Sequence, residues 1–254
     1  MILDYFRLEG KNALVTGSRR GLGAAIAVAL AEAGANVGCH GREKNGGEAC
    51  DEIRRLGRRT FYFAGDVTDN AACEAMVEKT VRDFGSIDIL INNAGIIRRK
   101  PAHEHSMQDW DDVIAADLTA VFRLAQLAGQ RMIQQGRGGK IVNIASLLSF
   151  QGGVFVPGYA AAKGGVAQLT KALANEWAAK NINVNAIAPG YMVTDNTEAL
   201  RSDPARSKQI LDRIPAGRWG NPQDVAGAAV FLASPASDYV HGHVFAVDGG
   251  WLAR

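Results

Sequence analysis

A short apolar run, Ala13–Thr16, passes directly into Thr16-Gly17-Ser18-Arg19-Arg20-Gly21-Leu22-Gly23, and this turn opens an alanine-rich stretch of helical period, Leu22–Ala33. A strand that enters a helix through three glycines leaves little choice of architecture. Its backbone can approach an anion closely, and the helix N-terminus offers N–H groups and a dipole that favour a pyrophosphate. The expected unit is a strand–turn–helix that cradles a dinucleotide, with Gly17, Arg19, Arg20, Gly21, Leu22 and Gly23 lining it.

The rest of the chain repeats that alternation. Strands are expected at Ala13–Thr16, Ala35–Cys39, Phe61–Ala64, Ile87–Ile91, Lys140–Ala145, Asn183–Ile187 and Val244–Val247, separated by helical patterns at Leu22–Ala33, Ala71–Phe84, Asp109–Gln135, Tyr159–Ala179 and Pro222–Ala233. Short apolar runs alternating with longer helix-period stretches are the pattern of βαβ units feeding a parallel sheet. Gly34, Gly85 and Gly136 follow three of the helical patterns, where a left-handed cap costs glycine least. No repeat, low-complexity tract or linker divides the chain, and 254 residues of which 47% are apolar suffice for one core. Residues 1–254 are therefore expected to form a single α/β domain, a doubly wound parallel sheet of about seven strands with helices on both faces. Its active residues should gather at the carboxyl ends of the strands.

Charge excludes some partners. Lys plus Arg number 28 against 26 Asp plus Glu, with no basic stripe, so no nucleic-acid footprint is expected and a small-molecule substrate is favoured. Cys39, Cys50 and Cys73 are odd in number and lack metal-ligand spacing, which suits buried, reduced thiols. The start, Met1-Ile2-Leu3-Asp4, is not a basic segment followed by an apolar run, and no stretch approaches roughly 18 apolar residues. A soluble cytoplasmic protein that uses no membrane is expected.

The dinucleotide is chosen where the second strand ends, because an acid there bonds a ribose 2′-hydroxyl and repels a 2′-phosphate. This chain reads Cys39-His40-Gly41-Arg42, with glycine at the place of the acid. Arg42 is placed to pair with a phosphate, and Arg20 could approach the same group. NADP(H) is favoured, while Glu43 beside Arg42 leaves NAD(H) open.

Tyr159 and Lys163 are four residues apart, hence on one helix face with a rise of about 6 Å between them. A free tyrosine titrates near 10, too high for efficient proton exchange at neutrality. A positive charge about 4 Å away is worth on the order of 4 kcal/mol at an effective dielectric of 20, enough to make the phenol a workable acid/base. Ser146, just past the fifth strand and 13 residues before Tyr159, supplies a hydroxyl at the same sheet edge.

Taken in order, the glycine-rich turn, Asn92-Asn93-Ala94-Gly95, Ser146, Tyr159, Lys163 and Pro189-Gly190 resemble the short-chain dehydrogenase/reductase family across nearly the whole chain. That resemblance implies a Rossmann-type fold and an NAD(P)-dependent enzyme. Hydride passes between the nicotinamide and a carbinol carbon, Tyr159 exchanges the hydroxyl proton, Ser146 polarises the carbonyl and Lys163 holds the nicotinamide ribose. It also implies cofactor contacts from Asp66 and Val67 to the adenine, from Asn93, Ala94 and Gly95, and from Pro189, Gly190, Met192 and Thr194 to the carboxamide. One position departs from the family. Ala115-Ala116-Asp117-Leu118 carries aspartate where the fourth member of the catalytic set is usually asparagine. Asp117 keeps the backbone carbonyl that holds a relay water. Its carboxylate either joins the relay ending at Lys163 or turns away to another cation.

Ile144–Gly153, Asn185–Met192, Arg213–Gly220 and Asp248–Arg254 are similar to the family's sugar-acid dehydrogenases. A sugar-acid carboxylate needs a cation, and Arg98 or Arg99 follows the Asn-Asn-Ala-Gly motif at the right edge; Gln151 completes an expected substrate set with Ser146 and Tyr159. His103 and His105 lack a third ligand, so they are read as surface histidines and no metal is expected. By resemblance, the long helical stretches pair with symmetry mates in a homotetramer. Two other readings share these motifs: a 3-oxoacyl-carrier-protein reductase, and a dinucleotide-binding regulator without turnover, which only Asp117 supports.

Overall fold

The computed structural model describes residues 1–254. Seven strands form one wholly parallel sheet: β1 (Asn12–Val15), β2 (Asn36–Gly41), β3 (Thr60–Ala64), β4 (Ile89–Asn92), β5 (Gly139–Ile144), β6 (Ile182–Pro189) and β7 (Val244–Val247), in the order β3-β2-β1-β4-β5-β6-β7. All seven expected strands are present, with no end moved by more than two residues. Order reverses between β1 and β4, paired as Leu14↔Leu90. A crevice must open there, because the connections leaving the two strands diverge to opposite faces.

Alternation along each strand supplies both cores. Ala13 and Val15 of β1 and Ile89 and Ile91 of β4 face a cluster shared with α1 (Gly21–Glu32), α2 (Glu48–Arg55) and α9 (Pro222–Ala233). Leu14 and Leu90 point the other way, to α3 (Asn70–Phe84), α5 (Ala120–Gln135) and α6 (Pro157–Trp177). Both sides of these strands are buried, so they read as continuous apolar runs. Gly34, Gly85 and Gly136 take φ of 117°, 96° and 70°, and the last two are left-handed caps of α3 and α5.

Three differences from the sequence expectation matter. The stretch expected as one helix over Asp109–Gln135 is α4 (Met107–Ile114), a π-helical turn over Ala115–Thr119, then α5. Apolar periodicity survives one widened turn, which is why the interruption was not visible. α2 and the pair α7 (Glu198–Ser202) and α8 (Pro204–Leu211) had not been assigned, since each is short. His103 is exposed as expected, but the His105 side chain is only 7% exposed, tucked 3.9 Å from Asp109. All three cysteines are buried and unpaired, and no helix is long and apolar enough to cross a membrane.

Across α5 and α6, Trp177 packs on Gly129; a Cβ at Gly129 would sit 2.8 Å from the indole. Gly129→Ala should therefore destabilise the chain by about 1–3 kcal/mol through overpacking, overriding the 0.5–1 kcal/mol that alanine normally gains over glycine in a helix. Urea denaturation checks this: a raised midpoint would show that the indole can yield.

Candidate active site

A cleft of about 610 Å³ runs along the carboxyl edge of the sheet, over the β1/β4 switch point. At its floor the glycine turn and the Asn-Asn-Ala-Gly segment are locked together. Asn93 Nδ2 donates to the Thr16 and Gly17 carbonyls at 2.8 and 3.0 Å, while Thr16 Oγ1 accepts from the Asn93 and Ala94 N–H groups, both at 3.0 Å. Gly17 has φ 63°, and a Cβ there would lie 2.9 Å from Ala94 Cα. At Gly23 a Cβ would meet the Gly17 carbonyl oxygen at 2.3 Å. Each glycine thus occupies a place no side chain fits. Arg20, the residue before α1, gives that helix no side-chain cap, so its first N–H groups remain open to an anion.

His40 was not singled out from the sequence, yet it ties three strand ends together. Its Nδ1 accepts from the Gly17 N–H at 3.1 Å, and Nε2 lies 3.1 Å from the Gly65 carbonyl. These partners require the neutral tautomer with the proton on Nε2. Burial pushes the imidazole below the usual histidine range, outweighing Gly65 and Asp66. Nothing in the sequence distinguishes a histidine at the end of β2 from a solvated one.

The arginines divide. Arg42 and Arg19 both line the cleft beside Gly41, and Arg19 pairs with Glu43 at 2.8 Å. Arg20, expected to reach the same group as Arg42, instead pairs with Asp195 at 2.7 Å, and Arg19 is the turn's cation that packs beside Gly41. Asp66 accepts from the Thr68 N–H and hydroxyl, which hold its carboxyl below the usual range, and Val67 lines the cleft next to it.

At the opposite end, Lys163 is buried in α6. Its Nζ donates to the Ile144 carbonyl at 2.9 Å, lies 3.2 Å from Asp117 Oδ2 and stands 5.3 Å from the Tyr159 ring centre. Burial opposes the ammonium, but the Asp117 carboxylate and Tyr159 outweigh it and hold the lysine above its ordinary value. Two residues past Ile144, Ser146 Oγ accepts from the Leu148 N–H at 3.2 Å. Ser149 Oγ donates to the Lys163 carbonyl at 2.7 Å, stapling the Leu147–Ser149 turn to α6.

The substrate candidates separate as well. Arg98 is engaged by Asp112 at 3.2 Å and Asp109 at 3.6 Å. Arg99 has no carboxylate partner; it donates to the Asn196 carbonyl at 2.8 Å, and the ionisable groups acting on it are Tyr159 and Tyr191. Gln151 Oε1 accepts from Trp251 at 3.3 Å and Arg213 at 3.4 Å, so it anchors the C-terminal segment. There Tyr191 packs against both Trp219 and Trp251, at ring separations of 5.6 and 4.7 Å. Gly190 is pressed on Asp248, where a Cβ would lie 2.7 Å from its Cα, and Pro189 ends β6. Met192 points into the core and does not line the cleft. Thr194 reaches the cleft and covers Gly21.

A family model described as enoyl-(acyl carrier protein) reductase matches residues 17–252. Over 255 residues, covering all of both chains, the protein is 57% identical to the 2-dehydro-3-deoxy-D-gluconate 5-dehydrogenase of Dickeya dadantii (strain 3937) and 55% identical to that of Escherichia coli (strain K12). The crystal structure of a gluconate 5-dehydrogenase from Burkholderia cenocepacia J2315 in complex with NADP and tartrate is similar, with a TM-score of 0.95, 41% identity and full coverage of both chains.

The His40 tie carries a pH dependence. Its folded value lies below the unfolded one, so the unfolded chain takes up a proton first and the contribution is lost as pH falls below about 6.5. The cationic ring would also turn a donor against the Gly17 N–H. Thermal midpoints measured on the acid side should fall less steeply for His40→Gln than for the native chain; parallel slopes would exclude this residue as their source.

Proposed function

This chain belongs to the short-chain dehydrogenase/reductase family, and we propose that it acts as a 2-dehydro-3-deoxy-D-gluconate 5-dehydrogenase, also described as a 2-deoxy-D-gluconate 3-dehydrogenase. It is an NADP(H)-using oxidoreductase of a sugar-acid hydroxyl or keto group. The observation that carries the sugar-acid reading is Arg99, a half-buried cation without a carboxylate partner on which the Tyr159 and Tyr191 phenols act. A carboxylate seated there would be fixed by a charge-assisted contact, with the rest of the substrate directed to Tyr159.

The residues fit a dinucleotide. The glycine turn, which two Cβ atoms would fill, and the uncapped start of α1 suit the pyrophosphate. Asp66 and Val67 suit the adenine, and Arg42 with Arg19 suits a 2′-phosphate. Asn93, Ala94 and Gly95, with the segment from Pro189 and Gly190 through Met192 to Thr194, suit the nicotinamide half. Glu43, held by Arg19, leaves room for a ribose hydroxyl contact as well. Bound nicotinamide supplies or takes the hydride. Ser146 already accepts from Leu148, so its own proton is left to donate to the substrate oxygen. Tyr159 gives or takes the hydroxyl proton, and Lys163, anchored by Ile144, keeps a positive charge under the phenol.

Two further statements belong to the same reading. Unpaired buried thiols suit the cytoplasm. Phe122 and Ile133 leave apolar surface exposed on α5, which suits pairing of that helix in a homotetramer.

A cofactor-coupled screen of sugar acids with NADP and NAD tests the proposal; turnover of acetoacetyl thioesters but of no sugar acid would replace it with the carrier-protein reading. Arg99→Ala should raise KM for 2-deoxy-D-gluconate by roughly tenfold or more while Arg98→Ala changes it less, since loss of a charged hydrogen bond costs about 1.5–3 kcal/mol. Equal effects would place the carboxylate elsewhere. Tyr159→Phe should keep dinucleotide binding and lower kcat by about 10²–10⁴. Retention of a tenth of the native rate would remove the phenol from the reaction.

A further inference from the structure

The π-helical turn between α4 and α5 has one evident product: it drives Asp117 into the interior at the base of the cleft. The side chain is fully buried. Its Oδ1 accepts the Ile96 N–H at 2.7 Å, while Oδ2 faces Lys163 Nζ at 3.2 Å and makes no hydrogen bond. Gly95 closes the remaining side, since a Cβ there would stand 2.6 Å from Oδ2. A lone buried carboxylate costs several kcal/mol, and π turns are retained where they place a side chain that a regular helix would misdirect.

We infer that Asp117 is a positioning residue of the reaction, a carboxylate that contacts the Lys163 ammonium directly, fixes it between Ile144 and Tyr159, and balances its charge. The inference rests on the roles given above to Tyr159 and Lys163. Lys163 cannot leave: the Ile144 carbonyl holds it from β5, and Asp117 holds it from the π turn. With the carboxylate present the pair is close to neutral, so the phenol receives less help from Lys163 than from an unbalanced ammonium. Other charges facing this end are Arg99, on which Tyr159 acts, and Arg98, Asp111 and Asp112 along the cleft wall; the ionisable groups acting on Lys163 itself are Asp117 and Tyr159.

Asp117→Asn is nearly isosteric and keeps the oxygen that accepts from Ile96. Its oxidation of 2-deoxy-D-gluconate with NADP, followed as log kcat/KM against pH, should show a rising limb moved about one pH unit toward acid, because the unbalanced ammonium then favours the ionised phenol. Coincident limbs, or a limb moved toward base, would overturn the inference. A second measurement needs no turnover and separates this idea from the substrate reading. At pH 8, Lys163→Met leaves the Asp117 carboxylate buried with the Ile96 N–H but no cation facing it, so the double variant Lys163→Met/Asp117→Asn should unfold at a higher urea concentration than Lys163→Met alone. Additive losses would show that the two side chains do not act on each other, and would overturn the inference even if Asp117→Asn proved too unstable for kinetics.

Discussion

Asn93 gives both of its side-chain protons to carbonyls of the glycine turn, and in doing so holds the ends of β1 and β4 together where the sheet reverses its order. Everything downstream uses that joint. Were the two ends free to part, the crevice would widen and the Gly17 and Gly23 contacts, already at the limit of approach, would have nothing to press against. His40 extends the same joint to β2 and, through Gly65, to the end of β3. Three strand ends are thus held by neutral hydrogen bonds that engage none of the cations at this end of the cleft: Arg19 and Arg20 pair with Glu43 and Asp195, and Arg42 has no carboxylate partner. A second tie of the same kind links β4, β5 and α6: Asn92 Nδ2 donates to Asn143, and Asn143 donates to Thr170, each at 2.9 Å.

The catalytic half is organised by charge. Lys163 and Asp117 are taken wholly out of water, an arrangement that repays its desolvation only when each group keeps close partners. The Ile144 carbonyl and the Ile96 N–H are those partners, and both lie on strands or loops that the Asn92 and Asn93 ties already fix. The chemistry therefore depends on backbone rigidity that originates at the switch point. The substrate end is built more loosely: Arg99 reaches the Asn196 carbonyl, and Gln151 holds Trp251 and Arg213 at 3.3–3.4 Å.

Seven strands, two helical layers and the placing of Tyr159 and Lys163 on one helix face were legible in the chain because each rests on local spacing. Period two or an apolar run marks a strand, period 3.6 marks a helix, and a four-residue interval on a helix puts two side chains on one face whatever surrounds it. Glycine's role was equally local at position 23, where a Cβ would meet the Gly17 carbonyl oxygen, whereas at position 17 the Cβ is excluded by Ala94, far along the chain. What remained open were Arg98 against Arg99 and a carboxylate at position 117 turned in or out, while two expectations are overturned: Arg20 beside Arg42, and His105 at the surface. Apart from His105, which Asp109 meets one turn on, the deciding groups come from other elements. Asp109 and Asp112 claim Arg98, Asp195 claims Arg20, and the π turn commits Asp117 to Lys163. Long side chains reach several ångströms, and their partners exist only once strands and helices far apart in the chain have packed; until then every arginine in a loop has the same prospects.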